Sequence, residues 1–203
     1  MRVALIGLVL PILIVSSVSG AQRSTPPRGI VRVVIETDKG NITVALDSAN
    51  APKTVTNFLR YVDHGFYTGG QFHRTVTPTN QPKDSVKIGV IQGAANAAKK
   101  AESYPPIELE RTSVTALRHH DGTISMARSG ANSATDQFFI CIGEQPALDF
   151  GGHRNPDGQG FAAFGQVTGG MSIVRAIQAS PANGQTLTPP IAIRRIRRAG
   201  GDG

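Results

Sequence analysis

Two runs of β-forming residues open the regular hydrophobic pattern of the chain, one on each side of a short polar Asp-x-Gly turn. The first run spans residues 31–36 and the second spans residues 41–46. In the second run Ile42, Val44 and Leu46 occupy every other position, so their side chains point to one face of a strand. The pattern predicts a β-hairpin.

The hydrophobic period then changes to that of a helix. Val55, Phe58 and Leu59 recur with the spacing of one helical face, and Pro52 suits the first helical turn. A second helix is predicted over residues 172–178, where the apolar side chains again share one face.

Short apolar runs separated by glycine- and proline-rich loops fill most of the chain after Gly70. They predict strands at 72–76, 86–92, 123–127, 138–142 and 162–167, with a last strand that begins at Ile191. Many short strands and two helices indicate one mainly β domain, built as a closed barrel or as a sandwich.

The first residues have the pattern of an export signal and lie outside this domain. Arg2 precedes an uncharged apolar run from Val3 to Val15, and Ser19-Gly20-Ala21 ends in a small-x-small cleavage pattern. We therefore expect a signal peptide over residues 1–21, a linker over 22–30, and a periplasmic or secreted protein. The alternatives are an uncleaved anchor and a buried helix.

Charge and cysteine content change this interpretation little. The 203-residue chain has a net charge of +7, and four arginines lie close together near its end, at positions 194, 195, 197 and 198. Such a cluster can bind nucleic acid or anionic lipid, but no aromatic residues are interleaved with it, so a solvated strand end is favoured. The single cysteine, Cys141, lies in an apolar strand and is predicted to be a core residue.

Three segments combine polar side chains with apolar strand residues. They are FHR at 72–74, VIQG at 90–93, and MARSG at 126–130 followed by QFFI at 137–140. Strand alternation places Val90 with Gln92 on one face, and Gln137 with Phe139 on one face. Together with Arg74, they predict a small apolar pocket with one cation and two amides, a composition typical of a binding site.

These segments, together with FGQV at 164–167, resemble the cyclophilins, which contain F-H-R, I-Q-G, M-A-x-x-G…Q-F-F-I and F-G-x-V in the same order. The resemblance extends from about residue 31 to the final strand. It implies a closed eight-stranded antiparallel β-barrel with two α-helices, over residues 31–198, followed by a tail over 199–203. It also implies a peptidyl-prolyl cis/trans isomerase that acts on X–Pro bonds during the folding of exported proteins.

The resemblance assigns catalysis to Arg74 and Gln92. The Arg74 guanidinium would donate to the prolyl nitrogen as the amide twists, and Gln92 would orient it. His73 is predicted to point away from Arg74 into the core. Substrate binding is predicted at Val90, Ala127, Arg128, Gln137, Phe139, Leu148 and Phe161. No cofactor or metal is implied; the expected partners are proline-containing polypeptides, bound by a monomer, with no nucleic acid and no stable membrane insertion after signal cleavage.

The chain departs from the family pattern at the edge of this pocket. Ala147 stands where many members carry tryptophan, and Phe161 stands where many carry histidine. The segment 77–87 is longer than usual, so either Ile88 or Gly89 matches the family's pocket phenylalanine.

Two other interpretations remain open from the sequence. A non-catalytic module that binds proline-containing segments, as a chaperone would, has the same pattern as the enzyme. His119-His120-Asp121 resembles a metal site, but neighbouring side chains in a strand point apart and no third ligand has suitable spacing, so a loop is favoured.

Overall fold

The computed structural model of the protein describes residues 29–200, so the predicted signal peptide, most of the linker and the end of the tail lie outside the described residues. The strands are β1 (Ile30–Thr37), β2 (Gly40–Asp47), β3 (Gly70–Val76), β4 (Val90–Ala94), β5 (Thr123–Met126), β6 (Phe138–Cys141), β7 (Ala162–Gly169), β8 (Ala182–Asn183) and β9 (Thr186–Arg198). The α-helices are α1 (Pro52–Asp63), α2 (Thr112–Thr115) and α3 (Met171–Gln178), and short 3-10 turns lie at Ala97–Glu102 and Pro146–Leu148.

Eight of these strands close into a ring. Their order is β1-β2-β7-β5-β6-β4-β3-β9, and antiparallel pairing of β1 with β9 joins the two ends. The two-residue strand β8 pairs only with β9, as the short arm of a hairpin. The closed eight-stranded antiparallel barrel is therefore confirmed, as are its two longer helices; α2 is a third helix of a single turn.

Strand alternation divides the apolar side chains into two clusters. The larger cluster contains residues from the barrel strands and from α1 and α3, among them Ile91, Phe138 and Ile140. The smaller cluster contains Val90 and Phe139 from the opposite faces of the same strands. It comprises Val76, Ile88, Val90, Phe139, Cys141 and Leu148, and we call it the outer cluster. Its position on the other face of the wall leaves it available to form a site.

A bulge in β3 turns Arg74 toward the outer cluster. The pairing of β3 with β4 matches Phe72 to Gly93 and then Arg74 to Gln92, so His73 has no partner of its own. An extra residue of this kind reverses which face the following side chains occupy. The prediction that His73 enters the core is therefore wrong: His73 is only half-buried.

Two strand boundaries differ from the sequence-based prediction. Strand β4 begins at Val90, because the preceding residues belong to the long loop after β3. Strand β9 begins at Thr186 and not at Ile191, although it contains Pro189 and Pro190. Both prolines lie in the irregular stretch between the pairs Phe72–Ile191 and Arg74–Thr186, where no ladder N–H is required.

The first helix begins at a carboxylate that comes from a distant part of the chain. Glu110 accepts hydrogen bonds from the backbone N–H groups of Lys53 and Thr54, at 3.0 and 2.8 Å. These N–H groups have no partner within the helix, so the carboxylate replaces a local cap. Among residues 29–200, no helix is both long and apolar enough to cross a membrane.

Candidate active site

A cavity lies over the outer cluster, where β3, β4 and β6 meet the loops that precede β4 and β7. Its walls are formed by Arg74, Ile88, Val90, Gln92, Ala127, Arg128, Phe139, Leu148, Arg154 and Phe161. Eight of the nine predicted site residues are therefore brought together here. The ninth, Gln137, lies in an adjoining depression that shares Gln92, Ala127 and Arg128 with the cavity. The roles of all nine residues stay predictions.

Arg74 is held from two sides by neutral amides. Its Nη1 donates to Oε1 of Gln92 at 2.9 Å, while its Nε and Nη2 donate to Oε1 of Gln185 at 2.9 and 2.6 Å. Gln92 in turn donates from Nε2 to Oε1 of Gln137 at 2.8 Å. These three contacts use three of the five guanidinium N–H groups and fix its plane.

The charge of Arg74 is not neutralised by these partners. Burial lowers the pKa of Arg74, and the positive charge of Arg154 lowers it further. Arginine nevertheless stays protonated in proteins. The site therefore presents a fixed, partly desolvated cation beside an apolar surface.

Phe139 forms the apolar floor of the cavity. Its ring meets Phe161 edge to face, with centroids 5.5 Å apart, and the ring of His119 stacks on it with centroids 6.0 Å apart. Val90 and Leu148 complete the same cluster. Packing from several sides gives the floor one defined shape, and its size suits a small apolar ring.

Arg128 supports the cavity through intramolecular contacts. Its guanidinium binds both carboxylate oxygens of Asp157, at 2.7 and 2.9 Å, and its Nε donates to the carbonyl of Gly160 at 2.7 Å. Its guanidinium carbon lies 4.9 Å from the centre of the Phe161 ring. The Arg128 side chain is fully buried, so the part of this residue that is exposed is its main chain. The ion pair lowers the pKa of Asp157 to about 2.

Gly160 allows this loop to approach the chain at Asp149. Gly160 has φ = 67°, and a Cβ atom there would lie 2.5 Å from the carbonyl carbon of Asp149. Only glycine fits such an approach with a left-handed backbone. The turn delivers Phe161, the next residue, to the cavity wall.

His119 is a buried structural residue behind the floor. Its Nδ1 lies 2.7 Å from Oδ1 of Asp149, and its Nε2 lies 2.9 Å from Oγ of Ser125. His120 is directed to Glu144 at the surface instead. In the part of the chain that the structure describes, no group of three or more His, Cys, Asp or Glu side chains could hold a metal ion.

The long segment 77–87 leads directly to the cavity wall, and the structure shows which of Ile88 and Gly89 lines the cavity. Ile88 lines the cavity, whereas a Cβ atom on Gly89 would meet the Ile142 carbonyl at 2.9 Å. Buried Gln81 donates from Nε2 to the carbonyl of Ile88 at 2.7 Å and thereby holds the segment against β4.

Sequence reasoning missed Arg154 and Gln185. Arg154 donates to the carbonyl of Val86 at 2.7 Å and pairs with Asp84 at 3.2 Å, so two loops far apart in the chain join at the rim. No periodic signal predicts such a loop contact. Gln185 could have been found from the sequence Asn183-Gly184, because this dipeptide indicates a tight hairpin just before the final strand.

Comparison with protein families gives a match over most of the described chain. The family model described as "Cyclophilin type peptidyl-prolyl cis-trans isomerase/CLD" matches residues 32–198. Among similar proteins, peptidyl-prolyl cis-trans isomerase A of Dickeya dadantii is 40% identical over 146 residues, which are 71% of this chain and 70% of the relative. Peptidyl-prolyl cis-trans isomerase B of Escherichia coli is 34% identical over 149 residues, covering 72% of this chain and 83% of the relative.

The fold is also found among solved structures. A crystal structure of a cyclophilin type peptidyl-prolyl cis-trans isomerase from Cryptosporidium parvum aligns with a TM-score of 0.68 at 21% identity. The alignment covers 85% of this chain and 99% of that chain. The barrel and its helices are therefore shared at low sequence identity.

Proposed function

The chain belongs to the cyclophilin-type peptidyl-prolyl cis-trans isomerase family, and from this premise we propose that Arg74 carries the isomerisation of X–Pro bonds in exported polypeptides. The activity is peptidyl-prolyl cis-trans isomerisation, and its substrates are proline-containing peptides. The observation that supports the role of Arg74 is its position: a protonated guanidinium, held by neutral amides, beside an apolar floor. The proposal takes the protein to act as a monomer.

The reaction requires an amide to twist and requires no bond to break. The barrier of about 18–20 kcal/mol arises from resonance that gives the C–N bond partial double-bond character. When the amide twists, the lone pair returns to the prolyl nitrogen, which then becomes a hydrogen-bond acceptor. A donor placed at this nitrogen binds the twisted amide better than either planar isomer, and this difference accelerates the reaction.

The residues of the cavity divide these tasks. Phe139, Val90 and Leu148 form the surface on which the pyrrolidine ring packs. Two N–H groups of Arg74 remain beyond its contacts with Gln92 and Gln185 in the described structure, and they supply the donor. Arg74 acts as a fixed donor and transfers no proton.

The experiment compares Arg74→Ala with the unchanged protein in an isomerase assay on a short Xaa-Pro peptide. Losing one preorganised donor costs about 10²–10³ in rate, and we expect this loss mainly in kcat. Arg74→Lys should restore little of it, because a point ammonium does not reproduce the planar fork. Thermal unfolding should change little.

Arg194→Ala serves as the matched control, since Arg194 is an exposed strand arginine that pairs with Asp38 away from the cavity. Near-full turnover by Arg74→Ala, with an unchanged melting curve, would remove Arg74 from the mechanism. Absence of turnover in the unchanged protein would favour the non-catalytic binding module.

Export is the second part of the proposal. Arg2, the uncharged run to Val15 and the small residues before Gln22 support a cleaved signal peptide, and the family match begins only at residue 32. We expect the mature protein to begin near Gln22 and to occur in the periplasm or the medium. N-terminal sequencing of the fractionated protein measures this; Met1 recovered from membranes would instead indicate an anchor.

A further inference from the structure

Gln185 contacts Arg74 from the side opposite Gln92. It lies in the turn between β8 and β9, where it is half-buried. Its Oε1 accepts from both Nε and Nη2 of Arg74, at 2.9 and 2.6 Å. Its main-chain carbonyl accepts from the N–H of Thr75 at 2.9 Å, so the backbone of the turn is joined to β3 beside Arg74.

The other end of the Gln185 amide is held by the long segment 77–87. Its Nε2 donates to the main-chain carbonyl of Asn80 at 3.2 Å. A carbonyl only accepts hydrogen bonds and a guanidinium only donates them, so a single orientation of the amide satisfies both neighbours. In the reverse orientation, the NH₂ group of Gln185 would face the N–H groups of Arg74, and its oxygen would face the carbonyl oxygen of Asn80. The segment thereby selects the orientation that accepts from Arg74.

Asn80 itself is fixed on three sides. Its Oδ1 accepts from the N–H of Thr77 at 2.8 Å, and its Nδ2 donates to the carbonyls of Thr75 and Gly184, at 3.0 and 3.1 Å. These bonds join the start of the segment to β3 and to the turn that carries Gln185. The contacts run without interruption from the segment to the guanidinium.

We propose that Gln185 is a positioning residue for Arg74 and that segment 77–87 contributes to isomerisation by fixing the Gln185 amide. The proposal rests on the function proposed above for Arg74. A guanidinium bound only at Nη1 by Gln92 rotates about that contact, whereas bonds at Nε and Nη2 fix its plane. The remaining N–H groups then point to one place, and displacing a catalytic group by about 1 Å costs up to about 10²-fold in rate.

Gln185→Met tests the proposal, because methionine keeps the length of the side chain and removes both hydrogen-bonding ends. We expect kcat to fall by about 10- to 100-fold. KM should change less than about 2-fold, because the apolar floor does not involve Gln185. Ala182→Met, at an exposed position of the same hairpin, is the control and should retain full turnover.

A double-mutant cycle separates positioning from a general effect on the fold. In the Arg74→Ala background, Gln185→Met should cause less than about a 2-fold further loss, since there is no guanidinium left to position. An equal loss in both backgrounds, or full kcat in Gln185→Met alone, would overturn the role of Gln185. If Arg74→Ala itself retains turnover, the function proposed for Arg74 fails instead, and the two failures are thereby distinguished.

Asn80→Ala tests the part played by the segment. It should lower kcat by less than Gln185→Met does and should add nothing in the Gln185→Met background. A loss that persists in that background would show that the segment acts by another route and would refute its proposed contact through Gln185.

Discussion

At the scale of single residues, the choice of amides as partners for Arg74 has a chemical consequence. Gln92 and Gln185 fix the guanidinium while they leave its charge in place. A carboxylate in either position would fix it equally well but would attract its remaining N–H groups and reduce their donation to substrate. Neutral partners therefore combine rigidity with donor strength.

His119→Phe should lower the free energy of unfolding, because the side chain of His119 is buried behind the cavity floor. The new ring preserves the stack on Phe139, but it leaves Ser125 without its imidazole partner. Asp149 also loses its contact with Nδ1, although it keeps the main-chain N–H of residue 119 at 3.2 Å and Arg118 at 3.6 Å. A buried polar group left unpaired costs about 1–3 kcal/mol, so we expect a decrease of about 1–3 kcal/mol in the free energy of unfolding, measured by urea denaturation. His120→Phe is the control at the exposed neighbour. A decrease of similar size in both variants would contradict the role of the buried pair.

The part of the candidate site that lies on β4 and β6 was predictable, whereas the placement of Arg74 on β3 depends on a bulge. Alternation placed Val90, Gln92 and Phe139 on one face from sequence alone, because the period of a strand is fixed by its backbone. Arg154 and Gln185 were not predictable in this way. Their positions depend on the paths of loops, and those paths are set by individual side-chain contacts such as that of Asn80 with Gly184.

At the scale of elements, ion pairs between acidic side chains and the arginines of β9 lie along the seam between β1 and β9. Glu36 on β1 accepts from Nε of Arg195 and Nε of Arg197, at 2.9 and 2.7 Å. Arg194 pairs with Asp38, and Arg198 pairs with Asp63 of α1. The arginines near the end of the chain thus lie against acidic side chains along the seam that closes the barrel.

Glu36→Gln should destabilise the protein in a pH-dependent manner. Hydrogen bonds from Arg195 and Arg197 lower the pKa of Glu36 in the folded state. As the pH falls, the unfolded chain binds this proton first, near its ordinary pKa of about 4.3, so the stabilisation is present at pH 7 and is lost as the pH falls through the lower folded pKa. We expect a loss of up to about 1 kcal/mol at pH 7 that becomes smaller as the pH is lowered toward 3.

Thermal unfolding of both proteins across this pH range measures the effect. Asp38→Asn, at the exposed pair with Arg194, should change stability by less than about 0.5 kcal/mol at either pH. A constant difference between Glu36→Gln and the unchanged protein at pH 7 and pH 3 would show that the carboxylate charge is not responsible.

Most of the elements were predicted well, but the starts of β4 and β9 were not. The period of the first hairpin and of both longer helices fixed their type, because each buries one regular face. The start of β9 was missed because Pro189 and Pro190 normally end a strand. They are tolerated here because they lie in an irregular stretch of β9, between its pairs with Phe72 and Arg74, and this irregularity has no signature in the local pattern.

At the scale of the whole molecule, the two apolar clusters have different roles. The larger cluster stabilises the barrel, and the outer cluster lies beneath the candidate active site. The barrel interior is filled by the larger cluster, while the cavity lies over the outer cluster on the opposite face of β4 and β6. Sequence-adjacent residues can therefore serve different purposes. Phe138 and Phe139 are the clearest pair, because one belongs to each cluster.

Phe138→Ala should therefore reduce mainly stability, whereas Phe139→Ala should reduce mainly activity. Removing the fully buried Phe138 ring should cost about 3–5 kcal/mol of unfolding free energy. Removing Phe139 should lower kcat/KM by about 10- to 100-fold, the value of about 1.5–3 kcal/mol of lost apolar contact with the substrate, with a smaller loss of stability. Calorimetry and the isomerase assay measure the two effects. If the loss of kcat/KM relative to the loss of unfolding free energy were the same in both variants, the two clusters would not have different roles.

The seam between β1 and β9 also determines when the protein can fold. Glu36 and Arg197 are 161 positions apart, so the first strand leaves the ribosome long before the strand that completes its pairing. At about 5–20 residues per second, that interval is roughly 10–30 s. Throughout it β1 has a free edge, and the ring stays open until the last strand emerges. A nascent chain of this topology therefore cannot close its barrel until almost the whole chain has been synthesised.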